Sequence, residues 1–404
     1  MIYLDNNATT RPADAVVDTM GHVLRELWGN PSSVHRFGQQ IRQRVELARQ
    51  QTARLVGAEP ARLTFTSGGA EANNLALRGT LELAGARPAA LITTALEHAA
   101  IREPAAYAQQ HGVDLRNVRT DASGLVDLDN LSHCLDDAGA RADLVLVTIQ
   151  WANNETGGVQ PIPAIADAIA AARQRLRDAG RRTLIVWHVD ATQAVGKLPV
   201  DFAALPIDLA SFAAHKFHGP KGVGGLYARA GVRLVPQQRG GPQEHERRAG
   251  TENTPAIVGM GVAAQLAGEF LDDESRRQSL AALRDRFEQT ILAGLDRASV
   301  NAGPPRHADA PRLWNTSNIA FRGLEAEAIL LGLSERGVCA SAGAACSSGS
   351  LEPSPVLLAM GVDEPDAHGS VRFSLSRETT QAELDDAAAA VLAVVQRLEK
   401  TMPM

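Results

Sequence analysis

Short apolar runs alternate with helix-like stretches over the first two thirds of the chain, and this alternation narrows the possible folds more than any other feature. Residues 63–66, 91–94, 144–149, 184–189 and 209–212 read as strands; residues 71–83, 101–110 and 162–179 read as helices. Strands separated by helices imply a mostly parallel sheet covered on both faces, an α/β architecture. In such sheets ligands bind outside the carboxyl ends of the strands. The polar residues that stand out follow strands: Ser67-Gly68-Gly69, Glu97-His98, Asn153-Asn154, Asp190 and His215-Lys216. Five strand ends facing one crevice would make a site.

After about Pro255 the pattern changes. A long helical region, 257–295, carries charge runs such as 272–277, read as a solvated helix face. Then come a strand at 318–321, a helix at 325–336, a small-residue loop around Cys346, a strand at 371–375 and a helix at 381–400. We expect a large domain, 14–258, and a smaller α+β domain built from 1–13 and 259–404. The 404 residues are 45% hydrophobic and 21% charged, with net charge -6, an ordinary globular balance. Mixed charge of that size gives no reason to expect nucleic acid or an anionic membrane as partner. No run approaches the length of a membrane-spanning helix, and the N-terminus lacks a basic, then apolar, leader. Cys134, Cys339 and Cys346 form no Cys-x-x-Cys pair and no zinc-ligand spacing, so we expect a reducing, cytoplasmic setting and no metal.

Lys216 ends an apolar strand and precedes a glycine-proline loop. An ammonium there is costly unless its pKa falls or the amine is used covalently, as in Schiff-base chemistry. Taken alone, such a lysine is better read as a surface residue whose amine reaches solvent; Asp190 and Cys346 shift that reading. Ser67-Gly68-Gly69-Ala70-Glu71 joins a strand to a helix, where backbone N–H groups can approach an anion. Asp190 either caps a helix or faces a pyridinium nitrogen. His98 either serves structure, stacks on a planar ring or shuttles protons. Arg372, inside an apolar strand, is either a carboxylate clamp or half of an ion pair. Cys346 is either a nucleophile or a small buried hydrophobe, and its Ala, Ser and Gly neighbours argue against burial.

Together these residues resemble the pyridoxal-phosphate-dependent cysteine desulfurases of the NifS/IscS type. The resemblance runs the whole length: Tyr-Leu-Asp-Asn-Asn-Ala-Thr-Thr at 3–10, Gly-Asn-Pro-Ser-Ser-Val-His at 29–35, Ala-Asn-Asn-Glu-Thr-Gly at 152–157, His-Val-Asp-Ala-Thr-Gln at 188–193, His-Lys-Phe-His-Gly-Pro-Lys-Gly at 215–222, Arg-Ala-Gly-Thr at 248–251, the Cys346 loop with Ser-Leu-Glu-Pro at 350–353, and Arg-Phe-Ser at 372–374. It implies a fold type I transferase with a mostly parallel, seven-stranded sheet flanked by helices. It also implies pyridoxal 5'-phosphate as cofactor, L-cysteine as substrate, a homodimer and a sulfur-acceptor protein.

By that resemblance Lys216 would hold the cofactor and Asp190 its pyridine nitrogen. Gln193 and Asn154 would lie near the ring hydroxyl, and His98 on the ring face. Gly69, Ala70, His215 and Thr251 of a partner subunit would hold the phosphate. Arg372, with Asn154, would take the substrate carboxylate, and Cys346 would receive the sulfur. Two positions depart from the family. Ala70 stands where a threonine is usual and Ala213 where a serine is usual, so two hydroxyl donors to phosphate are missing. Two rival readings are a selenocysteine lyase or transaminase, which needs no such thiol, and a non-catalytic sulfur carrier.

Overall fold

The computed structural model describes residues 1–302, 311–343 and 352–400. Its central sheet has seven strands: β2 (Leu63–Thr66), β3 (Ala89–Thr94), β4 (Asp114–Val118), β5 (Leu144–Thr148), β6 (Leu184–Asp190), β7 (Leu209–Ala213) and β8 (Gly224–Ala228). The strand β1 (Ile2–Tyr3) precedes them in the chain and pairs elsewhere. The order across the sheet is β2-β8-β7-β6-β5-β3-β4. All neighbours pair parallel except at β8, which runs antiparallel to both β2 and β7.

The five strands expected from apolar runs all form, with ends moved by one or two residues. β4 and β8 escaped notice for opposite reasons. β4, Asp-Leu-Arg-Asn-Val, is an edge strand with its polar residues exposed or half-buried. β8, Gly-Gly-Leu-Tyr-Ala, is fully buried but begins with two glycines, which lower the strand signal. Gly224 is needed there: a Cβ on it would lie 2.7 Å from the Gly68 carbonyl carbon and from the Phe212 oxygen. The lack of a side chain lets β8 run close behind the turn at Gly68.

A second, three-stranded antiparallel sheet has the order β12-β10-β9, from β9 (Ala298–Val300), β10 (Thr316–Phe321) and β12 (Ser370–Ser374). The remaining strand, β11 (Val338–Cys339), pairs with β1. Two cores cover the large sheet, one with Ile92, Val147 and Phe212 and the other with Leu91, Leu146 and Leu209, and a separate one joins Leu4, Phe287, Ile319, Phe373 and Val391. The long helical region divides into helices Thr254–Asp272 and Glu274–Gly294, because Asp273 breaks off and its side chain accepts the Arg276 N–H. The first of these corrects the expectation about apolar length. Among the described residues, Thr254–Asp272 alone is long and apolar enough to cross a membrane. It lies instead in the protein core, with most of its residues buried. Its glycines explain the close fit: a Cβ on Gly261 would meet the Ala48 backbone at 2.6 Å, and one on Gly259 the Met20 side chain at 2.8 Å.

Candidate active site

A cavity of about 860 Å³ opens at the carboxyl ends of the parallel strands. The turns after β2, β3, β5, β6 and β7 bring Gly69 and Ala70, His98, Asn154, Asp190 and Gln193, and His215 and Lys216 to its wall. Arg372 reaches the same cavity from β12 in the second sheet. One expected residue is not on this wall: Thr251 is exposed on its own chain. Cys346 lies outside the described residues. Gly343 and Glu352, which bound the segment containing Cys346, both line the cavity.

Lys216 closes a single 3₁₀ turn, Ala214–Lys216, after β7. Its Nζ donates to the backbone oxygens of Asn7 (2.6 Å) and Ala8 (2.9 Å). The N-terminal segment is stitched to this turn: the Thr10 N–H and hydroxyl both donate to the His215 oxygen at 2.9 Å, and the His218 N–H donates to Thr10 Oγ1 at 2.7 Å. The side chain of Lys216 is half-buried, not buried. The buried lysine is another one, Lys197, which the sequence reading passed over. Its Nζ donates to Asn7 Oδ1 at 2.8 Å and to Gln193 Oε1, and burial, helped by Lys216 and Arg372, holds its pKa well below the usual lysine value. Gln193 in turn donates to the Asn7 oxygen at 3.0 Å. The signal for Lys197 was its position four residues after Gln193, one turn along the chain; its burial was not visible.

Asp190 ends β6 and is buried. It accepts from the Thr192 N–H at 3.0 Å and from Asn73 Nδ2 at 2.8 Å. Opposite lies His98, the N-cap of helix Ala99–Gln110, whose Nδ1 accepts the Ala100 N–H at 3.0 Å. This contact leaves Nε2 as the protonated nitrogen of the neutral ring. The walls of the cavity remove the ring from bulk water and lower its pKa; Asp190 opposes the shift, and Lys216 and Arg102 add to it. His215 bonds Thr9 Oγ1 through Nδ1 at 3.2 Å. Burial, then the charges of Lys216, Lys221 and Lys197, bring it down to about 4, so it is neutral near pH 7.

Glu97 is the acid of the site. Its Oε1 accepts from Thr94 Oγ1 at 2.9 Å and from the Gln150 N–H at 3.0 Å, and Oε2 is buried with no partner among the described residues. Burial raises its pKa to about 8; the Gln150 and Thr94 hydrogen bonds oppose this, and Asp190 adds to it. The folded-state value lies above the unfolded one. The stability this carboxyl contributes is therefore intact below about 4.5 and lost as pH rises through about 8. Each pH unit of separation is worth about 1.4 kcal/mol, so the loss is on the order of 5 kcal/mol. Glu97→Gln should keep both Oε1 bonds and remove that slope. Urea midpoints at pH 5 and pH 8.5 test it. The variant should gain on the wild type at the higher pH, and an equal difference at both would refute a protonated Glu97.

Arg372 is buried, and the sequence left it as either clamp or ion pair. It makes the pair: Nη2 donates to Asp5 Oδ1 at 2.7 Å. Nη1 donates to the backbone oxygens of Asn154 (3.1 Å) and Gly343 (3.4 Å). Its Nε is buried with no partner among the described residues, so the guanidinium retains donor capacity beside the cavity.

The opposite corner suits an anion. Helix Gly69–Leu81 begins there, and its first-turn N–H groups have no partner within the helix. A Cβ on Gly69 would lie 3.3 Å from Thr192 Oγ1 and 3.6 Å from the Ala213 Cβ. Thr192 Oγ1 is buried without a hydrogen-bond partner among the described residues. Ala70 and Ala213 both line this corner.

Residues 2–386 match the family described as aminotransferase class-V. A cysteine desulfurase of Trichormus azollae is 44% identical over 403 residues, covering 100% of this chain and 95% of its own. A solved NifS-like protein superposes with a TM-score of 0.87 at 32% identity, over 98% of this chain and 99% of the other. SspA, solved in complex with cysteine, gives a TM-score of 0.77 at 31% identity, over 94% and 100%.

Proposed function

The chain belongs to the class-V aminotransferase family, and on that premise we propose that it is a cysteine desulfurase, converting L-cysteine to L-alanine and passing the sulfur to Cys346. The observation that carries this reading is the meeting of Lys216, Asp190 and Arg372 on one cavity. An amine, a buried carboxylate and a guanidinium are what a carbonyl cofactor with a pyridine ring and an amino-acid substrate require. The anion corner, with its helix start and orphaned Thr192 hydroxyl, fits a phosphate. Bound there, pyridoxal 5'-phosphate would supply an electron sink for the carbanion formed at the substrate α-carbon.

Lys216 would hold the cofactor and Asp190 would face its ring nitrogen. Gln193 and Asn154 would lie at the ring hydroxyl and His98 on the ring face. Gly69, Ala70 and His215, with Thr251 of the partner subunit, would hold the phosphate. Arg372 and Asn154 orient the substrate carboxylate. The Lys216 amine, freed on substrate binding, takes the α-proton. The Cys346 thiolate then attacks the substrate sulfur. A sulfur–sulfur bond forms as the carbon–sulfur bond breaks, its electron pair stays with the β-carbon, a proton replaces the sulfur there, and a proton returned to the α-carbon gives alanine. The persulfide on Cys346 serves a sulfur-acceptor protein for iron–sulfur or thio-cofactor assembly. A cytoplasmic homodimer and the division into 14–258 and 1–13 with 259–404 belong to the same reading.

The purified protein with pyridoxal phosphate, cysteine and dithiothreitol should release alanine and sulfide in equal amounts. Mercaptopyruvate formed without sulfide would overturn the reading in favour of a transaminase. Selenocysteine as the only accepted substrate would favour a lyase, and a protein that binds no cofactor would favour a sulfur carrier.

The anion corner also makes a prediction about affinity. Ala70 and Ala213 each withhold a hydroxyl donor, and a hydrogen bond to a charged group is worth roughly 1.5–3 kcal/mol. Ala70→Thr with Ala213→Ser should therefore tighten pyridoxal phosphate binding by on the order of a hundredfold. Equilibrium dialysis measures it. Equal dissociation constants would mean that Thr192, water and backbone donors already satisfy the phosphate.

A further inference from the structure

Behind Asp190 lies a line of buried polar side chains that the chemistry above does not use. Thr148 Oγ1 lies 2.8 Å from His188 Nδ1, and His188 Nε2 lies 3.2 Å from Ser211 Oγ. Ser211 Oγ bonds Asn73 Oδ1, and Asn73 Nδ2 bonds Asp190 Oδ2 at 2.8 Å. The five residues come from β5, β6, β7 and helix Gly69–Leu81, and all are buried. An interior line of this kind has to satisfy every donor and acceptor, which fixes its protons.

The carboxylate accepts only, so Asn73 presents its NH₂ to Asp190 and its oxygen to Ser211. That oxygen can only accept, so the Ser211 hydroxyl donates to it. Ser211 has then spent its proton and accepts from His188 Nε2–H. With Nε2 protonated in a neutral ring, Nδ1 is bare and accepts from the Thr148 hydroxyl. With a neutral His188 ring, no other proton arrangement beginning at a carboxylate on Asp190 leaves all four contacts paired. The neutral ring agrees with the burial of His188, which holds its pKa at about 4 although Asp190 pulls it upward.

We propose that Thr148, His188, Ser211 and Asn73 form a one-directional hydrogen-bond relay that positions the Asp190 carboxylate. The proposal rests on the cysteine desulfurase reading for its consequence, because Asp190 is there the partner of the ring nitrogen. Each donor points toward the carboxylate, so the bonds polarise one another in the same sense inside a low-dielectric interior. Thr148, His188 and Ser211 do not line the cavity and are positioning residues, whereas Asn73 reaches its wall beside Asp190. Among the described residues Asp190 without these four would keep only the Thr192 N–H, and its carboxylate would be free to turn.

Two measurements on the protein loaded with pyridoxal phosphate test this. The first uses ¹⁵N-labelled histidine, with His188 assigned by the signals lost in His188→Gln. Between pH 6 and 8 the wild-type ring should show a protonated Nε2 and a bare Nδ1. A proton on Nδ1, or on both nitrogens, would overturn the relay. This readout does not depend on turnover, so it stands even if the wild type makes no alanine and the desulfurase reading fails. The second compares Ser211→Ala with Ser211→Thr. Losing the hydroxyl should lower kcat about tenfold with KM for cysteine unchanged, and threonine should restore it. An unchanged kcat in Ser211→Ala would overturn the proposal. If the variant does not fold, the wild-type tautomer decides alone.

Discussion

Lys216→Ala should lose turnover by about 10³-fold or more, the upper range for a proton-transferring group. Lys216→Arg should fare no better, because a guanidinium keeps its proton and cannot act as a base or form an imine. Three lysines compete for the role. Lys221 is exposed and does not line the cavity. Lys197 has the depressed pKa that sequence reasoning looked for in Lys216, yet its amine is engaged by Asn7 and Gln193 and is not on the cavity wall. Lys216 is on that wall, half-buried, with Nζ held by two backbone oxygens of the N-terminal segment. Carbonyl acceptors suit either protonation state while holding the amine in place, and pairing with a carboxylate would instead favour the ammonium. Borohydride reduction of the loaded protein followed by peptide mass spectrometry should place the pyridoxyl group on Lys216. A label on Lys197 or Lys221 would move the chemistry to that residue and refute the assignment.

The cavity was legible in the sequence because a parallel sheet turns one-dimensional order into a shared edge. Gly69, His98, Asn154, Asp190 and Lys216 are far apart in the chain, but each follows a strand, and parallel pairing brings those strand ends to one side. Contacts that depend on packing between distant segments could not be read this way. Asp5 and Arg372 are separated by 367 positions and pair across the second sheet. Asn7 meets Lys197, Asn315 and Thr316 through its side chain and Lys216 through its backbone. The N-terminal motif was recognised, but its work of holding the lysine turn was not.

Glu97 and His188 show a second limit. Both stand in polar positions that the motifs quote or flank, yet their protonation depends on burial, which residue type alone does not reveal. Ser211 and Asn73 looked like unremarked residues on a strand and a helix until β6, β7 and helix Gly69–Leu81 placed them in line with Asp190. The reverse error occurred with helix Thr254–Asp272. Its apolar composition is explained by packing against the helices Asp14–Glu26 and Arg36–Leu55, contacts that hydropathy along one segment cannot show.

Cys346→Ala should abolish sulfide release while leaving cofactor and cysteine binding intact. On the proposed reading the steps before sulfur transfer belong to Lys216, Asp190 and Arg372, and none of them uses the thiol. The variant should therefore bind cysteine with a change in absorbance like that of the wild type and then stall. The two described residues that bound the segment, Gly343 and Glu352, both line the cavity. Neither other cysteine is a ready substitute: Cys134 is buried in the large core, and burial raises its thiol pKa, which suppresses the thiolate. Cys339 sits on β11, paired with β1, and does not line the cavity. Sulfide and alanine should therefore fall together by at least 10³-fold in Cys346→Ala, while Cys134→Ala and Cys339→Ala keep wild-type rates. Stoichiometric alanine with undiminished sulfide from Cys346→Ala would mean that sulfur leaves directly to dithiothreitol, and Cys346 would have no part in the reaction.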